Sequence, residues 1–244
     1  MPHPPEFSSW IDPARLAPVF RERGRMHLPD ILDAGFAEQL FECLASNVPW
    51  SRTVSIAGRA HSERLDTLSR APKALQRDLA ALVAQTARTG FQYEFESWRL
   101  SDEIEAAGQL AESLAPSEAL YDLLNGEAFL GFVRRLTEDE RPAYCDAQAT
   151  RYRAGHFLNT HDDELAGKDR LYAYVLSFTP TWKVDWGGLL LFHDADGHVA
   201  EGLTPRFNTL NIFRVPQVHS VSQVASFVTA DRLSVTGWIR AAGP

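Results

Sequence analysis

The sequence predicts an α+β fold whose C-terminal part is mainly β. Residues 62–88 and 101–140 are rich in Ala, Leu, Glu and Arg, a composition that favours helices. From residue 145 onward, short runs of β-branched and aromatic residues alternate with Gly, Pro and Asp, which is typical of strands joined by turns. The second part is therefore predicted to be a β-sandwich or barrel. Neither a linker nor an internal repeat is evident between the two parts.

The N-terminal elements follow from local patterns. Residues 1–25 are expected to form a lead-in segment, Pro-rich at first, with a short helix near 13–23. Residues 26–28 are predicted to form a strand. Two further strands are predicted over 51–57 and 91–99, because both stretches are partly β-branched or aromatic. The second of these carries four aromatic residues that we expect in the core: Phe91, Tyr93, Phe95 and Trp98.

A helix is predicted over residues 34–46. Asp33 is placed to cap its N-terminus, since an Asp side chain accepts a hydrogen bond from the free backbone N–H groups there. Four residues fall on one stripe at helical spacing: Phe36, Leu40, Cys43 and Leu44. Cys43 is therefore interpreted as a small buried apolar residue without a reactive role.

Six strands are predicted in the C-terminal part. They cover residues 147–153, 171–178, 188–193, 208–213, 217–224 and 232–240. The last strand has a period of two, so alternate residues share a face. Its polar face carries Arg232, Ser234, Thr236 and Trp238, and its apolar face carries Leu233, Val235 and Ile239. This pattern predicts a polar interior pocket on one side of the strand and a packed layer on the other.

Composition narrows the class of protein. The chain has 244 residues, of which 45% are hydrophobic and 23% are charged, as in ordinary globular proteins. No apolar run approaches the roughly 18 residues of a membrane span, and the N-terminal residues lack the features of a secretory signal, so we expect no membrane association. The net charge of −8 argues against nucleic-acid binding through a globally basic surface. Two distant cysteines do not suggest a disulfide framework, and a cytoplasmic location is expected.

Four C-terminal residues point to chemistry. His161 and Asp163 form an H-x-D pair, which on a β-strand would face one point, because residues i and i+2 lie on the same side. His219 follows on a later strand and would complete a set of two imidazoles and one carboxylate. That set leaves open coordination positions and is typical of non-haem Fe(II) oxygenases. Alone, the H-x-D pair would be interpreted as part of a polar, solvated loop.

Arg232 lies downstream of these residues. A guanidinium offers a fixed fork of donors for a carboxylate, such as the distal carboxylate of 2-oxoglutarate. Taken alone, the same residue would be interpreted as one half of a surface ion pair.

The order of several motifs resembles a known family. Residues 151–163 (RYRAGHFLNTHDD) resemble the pattern Y-x-x-G-x5-H-x-D of the Fe(II)- and 2-oxoglutarate-dependent prolyl 4-hydroxylase-like superfamily. Residues 186–192 (WGGLLLF) resemble its G-G-x-L strand. Residues 208–213 and 219–224 resemble N-x-L-x-x-F and H-x-V-x-x-V, and residues 232–238 resemble R-x-S-x-x-G-W. The pattern is closest to the branch with the ribosomal-protein prolyl hydroxylases and their bacterial relatives.

The resemblance implies a fold and a domain organisation. The expected fold is a double-stranded β-helix, or jelly-roll, with N-terminal helices packed on one sheet. After the lead-in, residues 26–244 would form a single dioxygenase domain, with helical support over about 26–140 and the catalytic core over about 141–244.

The resemblance also implies site residues. His161, Asp163 and His219 would bind Fe(II). Arg232 would bind the distal carboxylate of 2-oxoglutarate, and the co-substrate pocket would include four more residues: Tyr152, Ser234, Thr236 and Trp238. Arg170 would contact substrate or close over the site. Ser177 departs from the family pattern, because a tyrosine often stands at its position and supports the distal carboxylate.

The implied activity is hydroxylation of a C–H bond with release of succinate and CO2, using Fe(II), 2-oxoglutarate and O2, with ascorbate as an accessory. The implied substrate is a prolyl residue in a protein or peptide. Two alternatives stay open at this point: hydroxylation of a free amino acid or small metabolite, and a barrel that binds metal or 2-oxoglutarate without turnover.

Overall fold

The helices and strands are taken from a computed structural model that describes residues 5–8 and 10–241 of the chain. The described helices are α1 (Pro13–Arg23), α2 (Ala34–Ser46), α3 (Leu65–Arg70), α4 (Lys73–Ala87), α5 (Leu100–Ala107), α6 (Ala115–Asn125) and α7 (Glu127–Thr137). The strands are β1 (Arg25–Pro29), β2 (Ser51–Ile56), β3 (Arg59–Arg64), β4 (Tyr93–Trp98), β5 (Tyr144–Cys145), β6 (Gln148–Tyr152), β7 (Phe157–His161), β8 (Arg170–Ser177), β9 (Leu190–His193), β10 (Val199–Leu203), β11 (Thr209–Arg214), β12 (His219–Val221) and β13 (Arg232–Arg240). Helix α4 ends well before β4 begins. No helix in the described ranges is long and apolar enough to cross a membrane.

Helices α1 and α2 lie where the sequence predicts them. Asp12 caps α1 by accepting from the backbone N–H of Ala14, and Asp33 caps α2 by accepting from that of Phe36. Cys43 is buried on the predicted face of α2, and burial raises the pKa of its thiol. The predicted lead-in lies partly outside the described residues, but its helix α1 places Phe20, which has no exposed surface, in the main core.

The prediction of a helix over residues 62–88 is wrong for its first residues. Residues up to Arg64 belong to β3, which pairs antiparallel with β2 from Ser51↔Arg64 to Ile56↔Arg59. Helices α3 and α4 follow, separated around Pro72. All residues of β3 are exposed. Because such a strand has no apolar alternation, the hydrogen bonds to β2 and not burial hold it, and the sequence pattern did not reveal it.

Strands β5, β7 and β10 were also not predicted. β10 is an edge strand that is mostly exposed and therefore carries a weak apolar signal. The β7 sequence, FLNTH, is only partly apolar, and its residues are half-buried or exposed. The strand nevertheless positions a site residue, as described below.

All strands join into one antiparallel sheet that curls on itself. Its order is β1-β11-β8-β13-β6-β4-β7-β12-β9-β10, with β2 and β3 continuing from β4 and β5 pairing with β13. Phe192 of β9 meets Phe213 of β11 at a ring-centroid distance of 5.2 Å, so the two ends of the sheet face each other. This arrangement confirms the predicted jelly-roll.

Helices α1, α2, α6 and α7 pack on one face of the sheet. The largest apolar cluster joins Leu233, Val235 and Ile239 of β13 to buried residues of α1, α2, α6 and α7. The opposite face of β13 turns inward, where Arg232 and Ser234 are buried and Thr236 and Trp238 are half-buried. The predicted division of β13 into a packed face and a polar interior face is therefore confirmed.

Gly237 allows β13 to approach the segment before β6. A Cβ atom added there would lie 1.9 Å from the carbonyl oxygen of Asp146, which is far inside van der Waals contact. The backbone N–H of the next residue, Trp238, donates to Asp146 Oδ1 at 2.8 Å. A side chain at position 237 would therefore push apart two segments that hydrogen bonds hold together.

We expect Gly237→Ala to lower the free energy of unfolding by about 1–3 kcal/mol or more, as overpacking of a buried site does. Urea denaturation measured by circular dichroism would show the change. Gly90→Ala serves as a control, because the nearest atom to its added Cβ is 4.0 Å away. Equal stability of the Gly237→Ala variant and the wild type would contradict the close approach.

Candidate metal site and co-substrate pocket

The two histidines of the candidate site lie on neighbouring strands. His161 is the last residue of β7 and His219 is the first of β12, and the two stand directly opposite in the antiparallel register. Their ring centroids are 4.1 Å apart. The pairing of β7 with β12 is therefore what brings the two imidazoles together.

Asp163 reaches the histidines in a different way from the one predicted. It does not lie on a strand with His161, because β7 ends at His161 and Asp163 has a left-handed backbone with φ of 65°. A turn, and not strand alternation, aims its carboxylate. The expected proximity of His161 and Asp163 is present, but the i, i+2 explanation for it is wrong.

The three side chains converge on one point. Nε2 of His161 lies 3.4 Å from Oδ1 of Asp163, and Nε2 of His219 lies 3.4 Å from Oδ2. One donor atom from each residue lies within 4.8 Å of the others. Two nitrogens and one carboxylate oxygen at this spacing match the donor set that non-haem Fe(II) sites use.

Backbone carbonyls fix the orientation of both imidazoles. Nδ1 of His161 lies 2.9 Å from the carbonyl oxygen of Asn159, and Nδ1 of His219 lies 2.8 Å from that of Gln217. With a proton on Nδ1, each ring donates to its carbonyl and leaves the lone pair of Nε2 facing Asp163. Metal-binding histidines commonly have such a partner on the nitrogen that does not bind metal.

The protonation states also suit a metal ion. Burial and the neighbouring His161 lower the pKa of His219 to about 4, so its ring is neutral at pH 7. Burial alone would raise the pKa of the Asp163 carboxyl, but the hydrogen bond to His161 and the nearby imidazoles hold it below its usual value. At neutral pH the cluster therefore presents the neutral imidazole of His219 next to an ionised carboxylate.

Arg232 is a buried cation near this cluster. Only 4% of its surface is exposed, and its guanidinium carbon lies 4.8 Å from the ring centroid of Tyr152. Burial lowers the pKa of Arg232, yet no carboxylate of the described residues pairs with it, and its Nε has no hydrogen-bond partner among them. A buried cation without a partner is costly. The arginine thus fits an anionic ligand such as the carboxylate of 2-oxoglutarate.

One cavity connects the cluster with Arg232. Its volume is about 480 Å³, within the range of small-molecule sites. Four of the other predicted pocket residues line it: Tyr152, Arg170, Thr236 and Trp238. Ser234 shares their face of β13 but has no exposed surface, and its hydroxyl oxygen lies 2.8 Å from that of Thr150. The structure therefore places Ser234 against Thr150 and not on the cavity surface.

Ser177 stands directly opposite Ser234 in the register of β8 and β13. It is buried, and its Oγ has no hydrogen-bond partner among the described residues. Like Arg232 Nε, this hydroxyl is a buried polar atom that a bound polar molecule would satisfy.

The cavity also has an aromatic wall that the sequence interpretation missed. Of the four aromatic residues expected in the core, Phe95 and Trp98 are buried, whereas Phe91 is 47% exposed. Phe91, Tyr93 and Phe95 all line the cavity. Neighbouring rings lie 5.5 Å and 5.4 Å apart along this series, and Phe95 stacks on Tyr152 at 5.2 Å. The period-two spacing of these residues was a signal that they share one face, but it did not say which face meets the cavity.

Comparison with known proteins finds similarity in the C-terminal region. Residues 147–240 match the sequence profile of the 2OG-Fe(II) oxygenase superfamily. The Prolyl 3-hydroxylase OGFOD1 of Mus musculus is 34% identical over 119 residues, which cover 46% of this chain and 21% of that protein. The chain spans about a fifth of the length of the curated relatives it matches.

Solved structures share the fold. A prolyl hydroxylase from Trichoplax adhaerens, in complex with a hypoxia inducible factor oxygen degradation domain peptide fragment, has a TM-score of 0.61 and 12% identity, covering 93% of this chain and 89% of that chain. A Pseudomonas putida prolyl-4-hydroxylase has a TM-score of 0.57 and 18% identity, covering 93% of this chain and 98% of that chain. At these identities the likeness shows the fold alone.

The profile match and the sequence relatives agree with the donor set and the jelly-roll described above. Residues 147–240 are thus similar to the 2OG-Fe(II) oxygenase superfamily, and part of the chain is similar to a prolyl 3-hydroxylase.

We expect Asp163→Ala to abolish binding of Mn(II), an inert substitute for Fe(II), because it removes the only anionic member of the three-residue cluster. His161→Ala should have the same effect. Electron paramagnetic resonance of free Mn(II) during titration measures the affinity, and circular dichroism should show a fold like that of the wild type. Wild-type affinity in either variant would contradict the assignment of these ligands.

Proposed function

We propose that the chain is an Fe(II)- and 2-oxoglutarate-dependent dioxygenase that hydroxylates a C–H bond of a prolyl residue in a protein or peptide. One observation carries the proposal: a cluster of two imidazoles and a carboxylate shares a cavity with a buried arginine that lacks a partner among the described residues. The first feature suits the metal, and the second suits the co-substrate. The match of residues 147–240 to the 2OG-Fe(II) oxygenase superfamily profile supports the metal site and the co-substrate site.

In this proposal His161, Asp163 and His219 bind Fe(II) and leave one face of the ion open. Bound Fe(II), with 2-oxoglutarate and O2, supplies the oxidising chemistry, and succinate and CO2 are released. The carbonyl oxygens of Asn159 and Gln217 hold the imidazoles in the orientation that a metal requires. The protein thus contributes a fixed donor set before any ligand arrives.

Arg232 binds the distal carboxylate of 2-oxoglutarate. Its guanidinium is held over the ring of Tyr152, so its donors are oriented before the co-substrate enters. Thr236 and Trp238 line the wall between Arg232 and the cluster. Burial of these groups excludes water and strengthens the ion pair.

The substrate part of the proposal has separate support. The relative from Mus musculus is named a prolyl 3-hydroxylase, and the structure from Trichoplax adhaerens holds a peptide. The aromatic wall described above would pack against an apolar ring such as that of proline. The proposal also includes ascorbate as a reductant that keeps iron ferrous. It further includes a cytoplasmic location.

Arg232→Ala tests the co-substrate site. Removing one partner of a buried ion pair costs about 3–5 kcal/mol, so we expect the dissociation constant for 2-oxoglutarate to rise roughly a hundred-fold or more. Calorimetric titration of 2-oxoglutarate into Mn(II)-loaded, oxygen-free protein measures it, and Mn(II) affinity should stay unchanged.

Arg153→Ala is the matched control for this experiment. Arg153 is a neighbouring arginine, but it is about half-exposed and its guanidinium pairs with Asp231 at 3.3 Å. Its loss should leave 2-oxoglutarate affinity unchanged. An unchanged affinity in Arg232→Ala would move the carboxylate anchor elsewhere.

The activity is tested by product analysis. We expect wild-type protein to produce succinate from 2-oxoglutarate when a proline-containing protein substrate is present, and Asp163→Ala to produce none. Mass spectrometry of cellular proteins from wild-type and deletion strains should show a mass gain of one oxygen on a prolyl residue in the wild type only. Succinate formation coupled to a small molecule, without any modified protein, would contradict the prolyl part and leave the dioxygenase part intact. No succinate under any condition would contradict both.

A further inference from the structure

Asp163 is the one member of the three-residue cluster that no strand holds. It lies in a segment, here called the ligand loop, that covers residues 162–169 between β7 and β8. Its backbone has a left-handed φ of 65°, a conformation that a residue with a side chain rarely adopts. The side chain is nevertheless only 8% exposed and aimed at both imidazoles. Aspartate tolerates this conformation better than most residues with a side chain, and a hydrogen bond from outside the loop holds Asp163 in it.

Arg170 makes the contact that acts directly on Asp163. Its Nη1 donates to the backbone carbonyl oxygen of Asp163 at 3.0 Å. The donor is charged, so this hydrogen bond is stronger than one between neutral groups. It fixes the peptide plane that follows the Asp163 Cα, which in turn sets the direction of the carboxylate.

Arg170 is itself held in place. Its guanidinium carbon lies 3.4 Å from the ring centroid of Trp238, so the planar group stacks on the indole. Arg170 begins β8, and Trp238 lies on the adjacent strand β13, opposite Ala173. Both partners thus belong to central strands of the sheet. Through Arg170 these strands hold the ligand loop in place.

We infer that Arg170 is a positioning residue for the metal ligand Asp163. The inference rests on the proposed metal site, and it goes beyond it by giving Arg170 a task within the protein in place of a contact with substrate. Loss of the hydrogen bond would free the Asp163 carbonyl and let the carboxylate leave the two imidazoles. The site would then keep two of its three ligands in place.

The charge of Arg170 allows the direction of the change in Mn(II) affinity to distinguish two roles. A cation near the cluster repels a metal ion, so if Arg170 acted only through its charge, Arg170→Ala would bind Mn(II) more tightly. If Arg170 positions Asp163, the same variant binds Mn(II) more weakly, because a ligand loses its orientation. The two roles therefore predict opposite changes in one measured affinity.

Arg240 is a matched control. It stands directly opposite Arg170 in the register of β13 and β8. Its Nε donates to the carbonyl oxygen of Lys168 at 3.0 Å, so it also binds the ligand loop, but at the end away from Asp163. Arg240→Ala therefore removes a similar side chain from the same loop without touching the metal ligand.

The experiment titrates Mn(II) into oxygen-free wild type, Arg170→Ala, Arg170→Lys and Arg240→Ala, with circular dichroism as the check on folding. We expect Arg170→Ala to weaken Mn(II) binding roughly 10–100-fold, the usual effect of losing a residue that orients a ligand. Arg170→Lys should recover part of the affinity, since an ammonium can donate to the carbonyl but cannot stack as a plane. Arg240→Ala should bind like the wild type.

Three results would overturn the inference. These are unchanged or tighter Mn(II) binding in folded Arg170→Ala, an equal loss in Arg240→Ala, and a rise in substrate KM for Arg170→Ala without any change in Mn(II) affinity. The last result would return Arg170 to a substrate contact. Failure of wild-type protein to bind Mn(II) would instead contradict the proposed metal site itself, so the two failures are distinguishable.

Discussion

The register between β7 and β12 is the constraint on which the site depends. It sets His161 opposite His219, and a shift by one residue would turn one imidazole to the other face of the sheet. The register is held from both sides, because β12 also pairs with β9 and β7 also pairs with β4. These four strands together fix the distance between the two imidazoles, which the β7–β12 pair alone would hold less firmly. The rest of the site adds to this pair.

Burial of Arg232 is the second feature that shapes the molecule. A strand with an arginine, two small hydroxyl residues and a tryptophan on its inner face cannot stabilise the fold by apolar packing on that side. Its other face compensates, because Leu233, Val235 and Ile239 lie in the main core against the helices. The helical layer therefore stabilises a strand whose inner face is given over to binding. This explains why the N-terminal helices belong to the site's architecture although they contribute none of its residues.

Much of this could be predicted from the sequence, and the reasons are local. Helix α2 has an aspartate cap and an apolar stripe, and β13 has strict alternation, so both were predicted with their correct faces. Strands without such a pattern were missed. β3 is exposed along its whole length, and β10 lies at an edge, so in both the hydrogen bonds to a neighbour decide the structure. Backbone pairing of an exposed strand leaves no apolar pattern in its sequence, even when its partner is the preceding strand.

The candidate site, like the fold, could be predicted only in part. Motif order identified the residues that the structure brings together, but it gave a wrong account of how Asp163 gets there. The positive φ at Asp163 depends on the loop, and the hydrogen bond from Arg170 depends on the start of β8, so the H-x-D pattern reveals neither. Ser234 and Phe91 illustrate the remaining gap. Both face the interior by alternation, yet one is enclosed against Thr150 and the other is at the cavity mouth, since curvature of the sheet decides depth.

That curvature also divides the cavity into two unlike walls. One wall consists of aromatic rings on β4 and its approach, and Phe91 lies 5.5 Å from the ring of His161. The other wall carries Arg170, Thr236 and Trp238 from β8 and β13. An apolar group entering the cavity would pack against the rings of the first wall, whereas the Thr236 hydroxyl of the second wall would donate to a polar group such as a peptide carbonyl. A prolyl residue within a chain combines both kinds of surface, and a free polar metabolite would leave the aromatic wall without a partner.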